Sequence, residues 1–154
     1  MDELRIPKVA VSIVCHTIQG ESFSGKVFLD MLTTSGFSTS QILEFFNSSQ
    51  LFFPMKLDEG KGIVLQKQNL FRVDVPELFQ EYQTEVSSLL DFKRETILHF
   101  ATIPSLRGDL IVDMPIEHAR VLDVLNSGRV FVPVLLETTL SLINVHHLLK
   151  VEEV

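Results

Sequence analysis

The chain is poor in the residues that usually mark chemistry. Cys15 is its only cysteine, which excludes an intrachain disulfide and any multi-cysteine zinc site. Tryptophan is absent and Tyr82 is the single tyrosine. The rings that anchor hot spots and stack on bases are therefore scarce. Basic clusters are missing too: Lys93-Arg94 is the one adjacent basic pair, and the net charge is −7. Phosphate-backbone binding needs grouped Lys and Arg, so DNA is excluded as a partner and RNA is disfavoured by charge. No apolar run approaches the ~20 residues that span a bilayer, and the acidic start MDEL lacks the features of a signal peptide. These absences predict a cytoplasmic protein with no membrane contact.

Phenylalanine is what the chain has instead, with 12 residues in a sequence that is 45% hydrophobic and 21% charged. Those proportions belong to a folded globular chain, and Phe, having no polar handle, favours the core over display. At 154 residues the chain fits one medium domain or two very small ones.

A repeat decides between these. Ile42–Leu57, ILEFFNSSQLFFPMKL, lies without a gap over Val121–Leu136, VLDVLNSGRVFVPVLL. Leu43, Asn47, Ser48, Phe52, Pro54 and Leu57 meet identical residues, and Glu44 meets Asp123. Upstream, Gly25-Lys-Val-Phe-Leu-Asp30 lies over Gly108-Asp-Leu-Ile-Val-Asp113, and His16 lies over His99 at the same distance from its glycine. The first copy carries four extra residues within Met31–Gln41. Downstream, Leu70–Asp74 falls over Leu148–Glu152 after a one-residue slip in a turn. The chain thus reads as two homologous units, 1–76 and 92–154, made by gene duplication.

Each unit reads β-β-α-β-β-β. In the first, strands are predicted at Val9–Thr17, Phe23–Met31, Leu51–Leu57, Ile63–Gln68 and Leu70–Val75. A short helix is predicted at Ser38–Phe46, opened by a Ser38/Gln41 capping box. Asn47, and Asn126 in the second copy, sit where a left-handed residue closes a helix. Gly25 and Gly108 mark a bulge or bend. Pro54 and Pro133 place their strand at an edge or a bulge, and Pro115 opens the second helix. The expected fold class is mainly β: two tandem five-stranded barrels of the SH3-like or Sm-like kind, each with a short helix. Residues 77–91 contain no Gly or Pro, with Leu78, Tyr82, Val86 and Leu89 at helical spacing, so they read as an amphipathic helical connector packed on both barrels.

The corner Arg120-Val-Leu-Asp-Val-Leu-Asn126 resembles a family of small, mostly uncharacterised bacterial domains with a core motif near R-L-x-D-x-L-N. The second unit matches at Arg120, Asp123, Leu125 and Asn126, whereas the first has Gln41, Glu44 and Phe46 in place of Arg, Asp and Leu. The resemblance implies a β-rich fold and no particular chemistry.

The polar candidates are few. His16 and His99 occupy equivalent strand positions, so a shared metal site is conceivable, but ligation needs three or four converging donors. His146 and His147 point to opposite faces if they lie on a strand. Cys15 beside His16 invites a nucleophile reading, yet its Ile-Val-Cys setting is that of a small buried hydrophobe. No nucleophile elbow, zinc-helix motif or phosphate loop is present. The expectation is no catalytic residue, no metal and no cofactor. Nine of the twelve Phe fall before residue 85. Phe37, Phe45, Phe46 and Phe53 are accordingly candidates for an apolar pocket or interface, set against the plainer reading of a bulkier core. The function expected is a non-enzymatic binding or assembly module that uses sheet edges or an apolar groove. Its partner is another protein or a second copy. The alternatives are an Sm-like RNA-binding or regulatory protein and a small-molecule sensor.

Overall fold

The computed structural model describes residues 8–30, 39–78, 93–112 and 120–154. The first half contains β1 (Lys8–Thr17), β2 (Ser22–Asp30), α1 (Thr39–Asn47), β3 (Phe52–Leu57), β4 (Gly62–Gln66) and β5 (Leu70–Val75). The second contains β6 (Lys93–Phe100), β7 (Leu106–Ile111), α2 (Val121–Leu125), β8 (Phe131–Leu135), β9 (Leu140–Asn144) and β10 (Leu148–Glu153). Period-two burial makes the strands: β1 turns Val11, Ile13, Cys15 and Thr17 inward and its intervening residues outward. In α1, Ile42, Leu43 and Phe46 are the buried residues, one stripe of a single helical turn.

All strands join one antiparallel sheet in the order β10-β6-β7-β8-β9-β5-β1-β2-β3-β4. The sheet is open: among the described residues β4 and β10 each pair with a single neighbour. The expected pair of separate barrels gives way to a continuous sheet, because β5 pairs with β9 across the middle. The chain is nonetheless mainly β, and each half runs through its five strands in the same order.

The registers of the two halves agree in detail. Ile13 faces Gly25 in the first half as Thr96 faces Gly108 in the second. Pro54 faces Val64 as Pro133 faces Leu142. His16 faces Arg72 as His99 faces Lys150, with a bulge at the next residue in both. Gly25 and Gly108 are where the following strand crosses closest. A Cβ at Gly25 would stand 2.2 Å from the Lys56 carbonyl oxygen, and one at Gly108 would stand 2.8 Å from that of Leu135. No side chain fits either crossing.

Pro54 and Pro133 lie in interior strands, not edge strands. Pairing of β3 with β2 covers only Leu57 and Lys56, and pairing of β8 with β7 covers only Leu135 and Val134. Each proline therefore sits beyond the ladder on that side, where its missing N–H forfeits no bond. Among the described residues positive φ occurs only at Gly20, Gly60 and Gly128. Asn126 closes α2 at φ −100°, and neither it nor Asn47 is left-handed. His146 and His147 lie in a 3-10 turn, Val145–His147, so the opposite-faces argument for a strand does not apply to them. Leu78 belongs to a 3-10 turn, Pro76–Leu78. The rest of the predicted connector, 79–91, lies outside the described residues, as do Phe37, Ser38 and Pro115.

Two apolar cores result. One gathers Val11, Ile13, Val27, Ile42, Phe46 and Phe53 of the first half with Phe131, Leu135, Leu140 and Leu142 of the second. The other holds Leu98, Leu110, Val124, Val132, Val134 and Ile143, joined by Phe71 from the first half. Every residue of β8 and β9 is buried, because one face of these strands belongs to each core.

Candidate functional site

The seam between the halves carries the densest polar cluster. Asp74 of β5 faces Ser141 of β9 in the ladder. Its carboxylate accepts hydrogen bonds from His16 Nε2 at 2.8 Å, Arg72 Nε at 2.7 Å and the Ser141 hydroxyl. The other imidazole nitrogen, His16 Nδ1, lies 2.9 Å from the Ser22 hydroxyl, directly across the β1–β2 ladder. Burial alone raises the pKa of Asp74. The bonds from His16, Arg72 and Ser141, with the Arg72 charge, more than offset this and hold it below the ordinary carboxylate value. A Ser–His–Asp chain of bonds can pass a proton from the serine to a carboxylate-oriented imidazole.

Beside this cluster is a cavity of about 310 Å³, lined by His16, the β1–β2 turn, Phe71 and the 102–104 segment of the second half. The residue types recur at the equivalent place in the second half, as His99, Ser105, Lys150 and Glu152. There His99 Nε2 lies 2.7 Å from Glu152 Oε1 without hydrogen-bond geometry, and Lys150 Nζ lies 3.3 Å from the same oxygen. Lys150, then His99, lowers the Glu152 pKa. This second cluster spans β6 and the edge strand β10, and among the described residues no further strand covers it.

Asn47 does more than end a helix. Its side-chain oxygen accepts from the N–H groups of Val130 and Phe131, both at 2.8 Å, and its Nδ2 donates to the Phe131 carbonyl at 3.0 Å. One amide thus stands in for a strand residue and ties α1 to β8 across the two halves. Among the described residues Asn126 makes no such bridge. Lys67 braces the other side of α1, donating to the Phe45 carbonyl at 2.8 Å and the Ser48 hydroxyl at 2.9 Å. A cation there also complements the helix C-terminus. Burial lowers the Lys67 pKa. At the second corner Arg120 grips Asp123 through two hydrogen bonds of 2.9 and 3.2 Å, so the charged part of that motif braces its own helix.

The phenylalanine candidates fall mostly inside. Phe46 and Phe53 are buried, and Phe45 is half-buried beneath Lys67. Phe46 contacts Phe45, Phe53 and Phe131 at ring-centroid distances of 5.1, 5.2 and 5.5 Å. Phe46 and Phe53 are core, whereas Phe45 lines a surface cavity with Phe28, Gln41 and Glu44. The apolar residues facing solvent include Phe28, Leu51 and Phe52 instead. Cys15 is buried, and burial, with Asp74 nearby, pushes its thiol up to about 12; it is not a nucleophile at neutral pH.

Sequence reasoning missed Asp74, Ser141 and the bridge made by Asn47. Asp74 did leave a signal, as the lone acid in the strand LFRVDV, two residues from its one base, Arg72. Among the described residues no three His, Cys, Asp or Glu side chains are grouped to hold a metal. No described helix is long and apolar enough to cross a membrane. No protein-family model, curated protein or solved structure matches the chain.

Proposed function

We propose that the protein is a cytoplasmic, non-enzymatic binding or assembly module. It consists of two homologous units of the small-barrel kind, opened and merged along one seam. The observation that carries this reading is the β5·β9 pairing: the chain already joins its two halves edge to edge. The same strand order in both halves leaves two further edges, β4 and β10, each with one partner among the described residues. An unpaired edge offers backbone donors and acceptors to another strand. The shared registers and the paired crossing glycines support descent of the two units from one ancestor. Sedimentation velocity from micromolar concentration upward tests the assembly reading. Species heavier than the 17.5 kDa chain are expected. The mass of one chain at every concentration, with no capture of strand-forming peptides, removes it.

One observation favours a second reading, small-molecule sensing: the cavity beside His16, with Ser22 and Asp74 in line. A ligand that raises the melting temperature of the wild type but not of His16→Ala would establish it.

A further inference from the structure

Among the described residues seven large apolar side chains face solvent: Phe28, Leu51, Phe52, Val64, Leu122, Leu149 and Val154. Their placement is not scattered. Phe28, Leu51, Phe52 and Val64 lie on or beside β2, β3 and β4 of the first half, and Leu122, Leu149 and Val154 on α2 and at β10 of the second. The shared register gives each of the main ones a counterpart in the other half. Phe28 corresponds to Ile111, Phe52 to Phe131 and Val64 to Leu142. Leu122 corresponds to Leu43 and Leu149 to Phe71.

All these counterparts are buried, and they are buried by the seam. Val64 is 65% exposed and Leu142 0%; Phe52 is 53% and Phe131 0%. Leu149 is 73% exposed and Phe71 9%; Leu122 is 59% and Leu43 9%. Ile111, Phe131 and Leu142 belong to the second half yet pack into the first half's core. Phe71 belongs to the first half and packs against Phe100 of the second, ring centroids 5.2 Å apart. The internal seam is therefore an interface between one unit's helix and fifth strand and the other unit's outer β7–β8–β9 face. Among the described residues the chain presents a second, uncovered copy of most of each surface.

We propose that the occupant of both is a second copy of this chain, docked head to tail. The β10 and α2 of one copy cover the β2–β3–β4 face of the next, in the register of the β5·β9 seam. This rests on the assembly reading above and names its partner and geometry. Val151 of one copy pairs with Val64 of the next, as Val73 pairs with Leu142 within the chain. Asn126 stands where Asn47 does and reaches the backbone around Leu51 and Phe52. Leu122, the counterpart of Leu43, enters the shallow apolar groove of Phe28, Pro54 and Val64, about 560 Å³ in volume, and Leu149 packs at Leu65, the counterpart of Ile143. Glu152 and Glu153 of β10 meet the end of β4, where Lys56 and Lys61 flank Asp58 and Glu59, so charge adds little to this junction. The neighbour also completes the second polar cluster. Gln19–Glu21 of the incoming copy take the place beside His99 that the 102–104 segment takes beside His16. Three differences weaken the copy-to-copy seam: Lys56 and Gly62 stand where Leu135 and Leu140 pack across the internal seam, and Ile63 replaces Ser141, so Glu152 gains no hydroxyl donor. Assembly is therefore reversible and concentration-dependent. Such an interface is heterologous and propagates to a ring or an open chain.

Val64→Glu and Leu149→Glu each spoil one surface at an exposed position, and light scattering reads the result. The wild type is expected above the dimer mass at high concentration. Each variant alone is expected at one chain mass of 17.5 kDa, with a far-UV spectrum like the wild type. An equimolar mixture is expected to recover a dimer and stop there, since only one intact junction remains. Leu149→Phe, the residue type of Phe71, is expected to tighten association about tenfold. If either substitution unfolds the chain, Phe52→Ser and Leu122→Ser replace the pair. A monomeric wild type overturns both this proposal and the assembly reading. Assembly that survives either single variant, or a mixture that stays monomeric, overturns the head-to-tail register and leaves assembly standing.

Discussion

Strand β5 and strand β10 occupy the same place in their halves and have opposite fates. Each flanks a first strand carrying a histidine, and each bears a cation and an acid two residues apart. β5 is covered by β9, and its acid is saturated by His16, Arg72 and Ser141. β10 is an edge, and its acid sits half in water beside Lys150 and His99. One sequence plan thus produces a core strand or a surface strand according to whether a neighbour arrives. The difference teaches that burial here is a property of the seam more than of the strand.

The sharpest way to break the comparison is a charge at equivalent positions. Leu142→Lys places an unpaired cation where both faces of the strand are buried, and loss of the folded state is expected. Val64→Lys, at the matching edge position, is expected to shift the melting temperature of the dilute, monomeric chain by no more than about a degree or two. Calorimetry on the two variants reads the contrast. Next in size is Phe131→Ala, which opens a hole between Phe46 and the β8 backbone and should cost about 3–5 kcal/mol in denaturant unfolding. Equal stability of Phe131→Ala and wild type would mean that the first core does not extend across the halves.

Asp74→Ala leaves three donors unsatisfied in a mostly buried setting and should cost about 3 kcal/mol. Glu152→Ala should leave the unfolding midpoint unchanged, because water takes over its bonds. At a dilution where the chain is monomeric, Asn47→Ala should cost about 2 kcal/mol and Asn126→Ala much less, because only Asn47 has its bridge within the chain. The smallest effect is a pH dependence. The Asp74 pKa is depressed in the folded chain, so its stabilisation is fully present above the unfolded value of 3.8 and is lost as pH falls below that toward the folded value. Wild type should therefore lose more stability on acidification through this range than Asp74→Asn, measured by urea unfolding at each pH.

Much of the local plan was legible in the sequence. The order of strands and helix in each half follows from alternation, turn residues and the aligned stretches, and the one-residue slip before Leu70 and Leu148 is present in the ladder registers. Gly25 and Gly108 stood out, but their reason, a strand crossing with no room for a Cβ, needed three dimensions. The seam was not legible, since nothing local in LFRVDV or LSLIN says that these two strands pair. That ignorance propagated to Asn47, read as a helix stop when its amide serves a strand 84 residues away. It also explains the uneven phenylalanines. The first half's core must reach over the outer face of β8 and β9 as well as line its own sheet, and Phe46 and Phe53 supply that bulk.

The double burial of β8 and β9 also sets an order of events during synthesis. The first core closes only on Phe131, Leu135, Leu140 and Leu142, so a nascent chain that ends before them carries α1 and its phenylalanines uncovered. Helix and hairpins of the first half draw on local contacts, and then wait for two short strands that follow them in the chain. The halves look like modules in sequence, yet strands of the second close the core of the first.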